Sequence, residues 1–91
     1  MPYASKEELY ALVWQQRSIC NLSGVKGDWK PNSLTKLSFD EIVPRNPADD
    51  AVQGGDYTLN NIQIVLRAIN EMKWNYSNEE AMEYLNTRFA L

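Results

Sequence analysis

The chain has no histidine among its 91 residues. That removes the commonest general base, the commonest zinc ligand and every Ser-His or Cys-His nucleophile pair. It has one cysteine, Cys20, so an internal disulfide and a thiolate zinc knuckle are both excluded. No structural zinc is expected, and Cys20 reads as a packed, inert thiol. No apolar run approaches the ~18 residues of a membrane span, and the start "MPYASKEEL" has no basic region followed by an apolar one. A cytoplasmic chain is the expectation. No glycine loop of the phosphate-cradling kind occurs. Basic residues are in deficit, nine against twelve acidic, for a net charge of −3. That excludes a strongly basic nucleic-acid-binding domain, since such a domain gains affinity by neutralising phosphates. The deficit is uneven, however: Arg17 to Arg45 holds five basic and three acidic residues, and Asp49 onward three basic and seven acidic. A local basic surface is compatible with that distribution.

What is present suits one small packed domain. Hydrophobic residues make up 44%, with three Trp, five Tyr and two Phe, too many for a disordered segment. "ASKEELYALVWQQRSIC" opens with a capping box, Ser5 with Glu8, and Leu9, Leu12 and Val13 fall on one helical face. These features predict a helix from about Ser5 to Ser18. "NLSGVKGDWKPNS" reads as loop. Within "LTKLSFDEIV", Phe39, Ile42 and Val43 favour a strand. "PRNPADDAVQGGDYT" is a long turn-forming loop whose aspartates lack calcium-loop spacing. "NNIQIVLRAINEMKW" stays open: Ile62, Ile64 and Leu66 alternate as in a strand, while Ile62, Val65, Leu66 and Ile69 fit a helical face. "YSNEEAMEYLNTRFAL" predicts a helix, with a second capping box at Ser77 and Glu80 and a buried stripe of Met82, Leu85 and Phe89.

With histidine absent, the remaining chemistry is that of oxygen. Asp40, Glu41, Asn61 and Asn70 are hard ligands suited to Mg²⁺ or Mn²⁺, which one or two protein oxygens often hold beside a substrate phosphate. The same residue types also serve as turn formers and helix caps, and Asn61 and Asn70 suit either role.

The stretch "SFDEIVP … DYTLNNIQIVLRAINEMKWNYSNEEAMEYL" resembles the phage-type HNH endonucleases of the ββα-metal, or His-Me finger, superfamily. The resemblance rests on Ser38-Phe39-Asp40, Gly55-Asp56-Tyr57, Asn60-Asn61-Ile62-Gln63, Asn70 with Met72-Lys73, and Ser77 with Glu80. "CNLSG" at Cys20 to Gly24 is similar to a Cys-x-Leu-Thr-Gly segment of that group. The resemblance covers about Cys20 to Leu85. It implies an α+β fold in a single domain over 1–91: an N-terminal helix in 1–19, a ββα-metal hairpin and helix in 20–75, and a C-terminal helix in 76–91. The second strand would run from Asn61 to Leu66 and the metal-binding helix from Arg67 to Trp74. Asp40 and Asn70 would be the metal ligands and Asn61 would brace the loop between strands. Lys73 would contact a phosphate, with Arg67 a weaker candidate.

Two departures bear on activity. The position after the strand aspartate, where the family places its histidine base, holds Glu41, and the alternative second-strand position holds Leu66. A carboxylate beside Asp40 and a metal is a weakened proton acceptor, and it sets negative charge where a phosphate must approach. The expectations are therefore three. One is a metal-dependent DNA endonuclease or nickase, or a degenerate derivative, using Mg²⁺ or Mn²⁺ and Glu41, Asn61 and Lys73. A second is a catalytically inactive HNH-like protein that binds and inhibits a host nuclease or defence protein, for example as an anti-CRISPR inhibitor in the host cytoplasm. A third, blander expectation is a structural domain whose Asp and Asn residues only pin the hairpin to the helix.

Overall fold

The computed structural model describes residues 3–89, the side chain of Phe89 excepted. Ser5 caps the first helix, α1 (Lys6–Gln16): its hydroxyl accepts from the Glu8 N–H, and the Glu8 carboxylate accepts from the Ser5 N–H. The helix ends earlier than its sequence pattern suggests because Arg17 and Ser18 both take left-handed backbone angles, with φ of 55° and 60°. Leu9, Leu12 and Val13 are only half-buried. The helix instead attaches through Gln16, whose amide donates to Ile64 O and accepts from Ile64 N–H.

Ile64 belongs to β2 (Ile62–Leu66), which pairs antiparallel with β1 (Leu37–Glu41) in the register Leu37↔Leu66, Asp40↔Gln63 and Glu41↔Ile62. The ambiguous segment thus divides, strand to Leu66 and then helix α2 (Arg67–Lys73). A short 3-10 turn, Leu59–Asn61, precedes β2. Ile62, Gln63, Ile64 and Val65 are all buried, so β2 is covered on both faces, which accounts for its near-continuous apolar run. Its outer edge is closed by α1 and by the segment after it: Asn21 N–H donates to Ile64 O, and Leu66 N–H donates to the Cys20 sulfur. Cys20 is a free, buried thiol.

Helix α3 (Asn78–Phe89) follows the second capping box, in which Ser77 and Glu80 satisfy each other's backbone N–H groups. The core gathers Cys20, Leu22, Val65, Ile69, Ala81 and Leu85, with Leu66, Met72 and Met82 packed against it. Of the predicted C-terminal stripe, Leu85 is buried and Met82 half-buried, and the Phe89 side chain lies outside the described residues. The result is a small α+β fold with, among the described residues, three α-helices and a two-stranded hairpin. No helix among the described residues is long and apolar enough to cross a membrane.

Candidate functional site

The register places Asp40 directly across from Gln63. Asp40, Gln63 and Lys73 are the buried polar or charged side chains among the described residues, and Asp40 bonds to both of the others. Gln63 Nε2 donates to Asp40 Oδ2 at 2.8 Å and to Asn78 Oδ1 at 2.8 Å. Gln63 Oε1 accepts from Asn21 Nδ2 at 2.9 Å and from Asn78 Nδ2 at 3.0 Å. An amide has two donors and two acceptor lone pairs, so Gln63 is fully satisfied. The network draws on the loop after α1, both strands, α2 and α3. A buried polar network completed in this way fixes one arrangement of the elements around it.

Lys73, the last residue of α2, reaches back beneath the hairpin. Its Nζ donates to Asp40 Oδ2 at 2.8 Å, Glu41 O at 2.7 Å and Ile42 O at 3.3 Å. Its side chain is 0% exposed. The ammonium therefore does not face solvent, and a phosphate contact there requires Lys73 to leave Asp40. Its stem is long enough to bury along apolar surface while the head finds oxygen acceptors inside, so burial satisfies both ends.

Asn70 lies one helical turn before Lys73, on the same side of α2. Its amide donates to Ser38 Oγ at 3.0 Å and to Phe39 O at 3.2 Å. It thus ties α2 to β1 beside Asp40. Asn61 sits at the mouth of the long loop. Its Oδ1 accepts from Val43 N–H at 2.8 Å, and its Nδ2 donates to Val43 O at 2.9 Å and Asp56 O at 2.7 Å. In effect its side chain extends the strand ladder by one residue. Gly55 is required beside it, because a Cβ there would run into the Asn61 amide and Val43 O.

The neighbouring carboxylates Asp40 and Glu41 do not form a pair, since successive strand side chains leave opposite faces. Glu41 faces Arg45 at 3.7 Å, an ion contact too long to be a hydrogen bond, and its enclosed Oε2 has no hydrogen-bond donor among the described residues. Glu41 is thus separated by the strand from the Asp40 carboxylate it would have to assist. Arg67 is exposed and pairs with Glu71 at 2.9 Å. Asp28, on the other side of the hairpin, organises its own loop. It accepts from Ser33 and Thr35 hydroxyls and from the Lys30 N–H. The Ser33 hydrogen bond first, then that from Lys30, hold its carboxyl below the ordinary value of 3.8.

Whether Asp40 and Asn70 suit a divalent ion can be judged from these contacts. Asp40 Oδ2 already serves an ammonium and an amide, and Asn70 directs its N–H groups to β1. No group of three or more His, Cys, Asp or Glu side chains is placed to hold a metal among the described residues. A dication at Asp40 would stand beside a buried ammonium, a repulsion that water cannot screen there. The arrangement does not fit a divalent ion while Lys73 is in place.

Gln63, Asn78 and Asn21 are the members of this site to which sequence reasoning assigned no role. The available signal was Gln63, a polar residue inside the apolar run "IQIVL", which burial obliges to find partners. Compared with protein families, curated proteins and solved structures, the chain matches none.

Proposed function

We propose that this chain is a non-hydrolytic, HNH-like binding protein that acts by docking to a protein of nucleic-acid metabolism, such as a host nuclease or defence protein. The observation that carries the reading is the Asp40–Lys73 pair: the carboxylate that would hold a catalytic metal is neutralised inside the fold. Glu41, at the position of the base, adds nothing a water could use, because its carboxylate lies on the other face of the strand.

The surface supports docking. Trp14 is 83% exposed and Trp74 65% exposed, with Tyr76 and Tyr84 also at the surface. Exposed tryptophans and tyrosines are the residues that most often anchor protein interfaces. A groove of about 600 Å³ between α2 and α3 is lined by Met72, Tyr76, Ala81 and Tyr84 together with the charged Glu80, Glu83 and Arg88. The chain's net charge of −3 complements the basic channel that a nuclease needs for its own substrate.

A second reading, contact with nucleic acid, is favoured by one observation. Lys36 and Arg67 are adjacent at one end of the hairpin, where Lys36 O accepts from Arg67 N–H. Incubation with supercoiled plasmid in Mg²⁺ or Mn²⁺, together with DNA retention at low salt, separates the cases. The docking reading predicts neither nicking nor retention. Retention without nicking supports the second reading. Nicking that vanishes in Asp40→Ala would sink the non-hydrolytic reading, with or without retention.

A further inference from the structure

We propose that the Lys73 ammonium is the resident cation of an oxygen site at the end of β1, and that the chain folds around this ammonium rather than around a divalent metal. Three oxygens converge on Nζ: one carboxylate oxygen of Asp40 and the carbonyls of Glu41 and Ile42. These are the hard donors that bind Mg²⁺ or Mn²⁺ elsewhere. An ammonium has three protons, and here each has an acceptor. The single positive charge balances the single negative charge of Asp40, so the pair is buried without residual charge.

The backbone holds Lys73 in that position from both sides. Trp74 N–H donates to Asn70 O, and Tyr76 N–H donates to Lys73 O. Between them Trp74 takes φ 48° and ψ −120°, a conformation that L side chains rarely adopt. The chain accepts this strain immediately after the residue that must be buried. Ile42 N–H donates to Asn61 O, which keeps the β1 end extended and its two carbonyls in place. The oxygen set is thus built by the hairpin and its occupant is delivered by α2.

This inference rests on the same Asp40–Lys73 pair that carries the docking reading, and the plasmid assay tells their failures apart. Its test is urea unfolding of the full chain in EDTA, in Mg²⁺ and in Mn²⁺, with bound Mn²⁺ read by electron paramagnetic resonance. The wild-type midpoint is expected to be the same in all three, with no stoichiometric Mn²⁺ bound. Lys73→Ala opens the oxygen set, so its midpoint should fall in EDTA and recover in part with millimolar Mn²⁺. Should Lys73→Ala be unfolded in EDTA, the same recovery is read as Mn²⁺-induced ellipticity. Lys73→Met fills the space with an apolar chain, and its midpoint should fall without recovery. A wild-type chain that binds one Mn²⁺, or whose midpoint rises in either metal, overturns the proposal. So does a Lys73→Ala chain that gains nothing from Mn²⁺, folded or not. A metal-binding wild type that still fails to nick plasmid would overturn this inference and leave the docking reading in place.

Discussion

Lys73 Nζ lies 2.8 Å from Asp40 Oδ2 across 33 positions of sequence, and neither side chain is open to solvent. Removing one member of a buried pair leaves the other charged without a partner, at a cost of about 3–5 kcal/mol. Lys73→Met and Asp40→Asn should each lose about that much in urea unfolding. The double variant should lose less than the sum, with a coupling energy toward the upper end of about 0.5–3 kcal/mol. Additive losses would mean that the two groups do not depend on each other.

Asn61→Ala removes three hydrogen bonds to the backbone of Val43 and Asp56. Stability should drop by about 1–3 kcal/mol, because the half-buried Val43 groups lose their Asn61 side-chain partner. Amide exchange gives the local readout: the Val43 N–H should lose protection while Ile64 N–H, held by Gln16, keeps its own. Unchanged protection at Val43 would show that the loop closes without Asn61.

Asp28 predicts a pH dependence. Its carboxyl is held below 3.8 by the Ser33 hydroxyl and the Lys30 N–H, so the unfolded chain takes up its proton first. The stabilisation is complete above pH 3.8 and is lost as the pH falls through the lower folded value. Asp28→Asn should flatten the unfolding midpoint across that acid window and leave the slope at neutral pH as it was. An unaltered acid slope would contradict the assignment.

Trp74 carries its positive φ with a ring that is 65% exposed and meets Tyr76 edge-on at 6.0 Å. Glycine adopts such angles at no steric cost, and the ring buries little. Trp74→Gly should therefore raise stability by about 1 kcal/mol while weakening any partner contact that uses the ring. A loss of stability would mean that the Trp74–Tyr76 contact outweighs the strain.

Much of the fold could be read from local chemistry. Both capping boxes are self-contained four-residue statements, and Ser5–Glu8 and Ser77–Glu80 form as their spacing requires. The strand around Phe39 and the C-terminal helix likewise follow from residue type and period. Periodicity could not choose strand or helix for "NNIQIVLRAIN", because a strand buried on both faces loses its alternation. The resemblance to HNH proteins placed that division correctly at Leu66 and Arg67.

The site was less legible. Asp40, Asn61 and Asn70 stand out as polar residues near turns, but what each touches depends on the register of two strands and on where α2 begins. The resemblance gave Lys73 a phosphate contact, which needs an ammonium open to solvent. Its burial follows from the acceptors that Asp40, Glu41 and Ile42 bring together, three positions at least 31 residues away. Gln63 has the same history, since its four hydrogen bonds go to three residues, Asn21, Asp40 and Asn78, in three other segments. The apparent carboxylate pair Asp40–Glu41 was misleading for a simple reason: neighbours in a strand point apart.

The most direct measurement is the ¹H–¹⁵N spectrum of the lysine side-chain ammonium groups at neutral pH. Exposed ammonium protons exchange with water too fast to be seen. The account predicts one protected ammonium signal that disappears in Lys73→Met, shifts in Asp40→Asn and is indifferent to added Mg²⁺. A Lys73 ammonium that exchanges as fast as those of the other lysines, or that is released when Mg²⁺ is added, would contradict it.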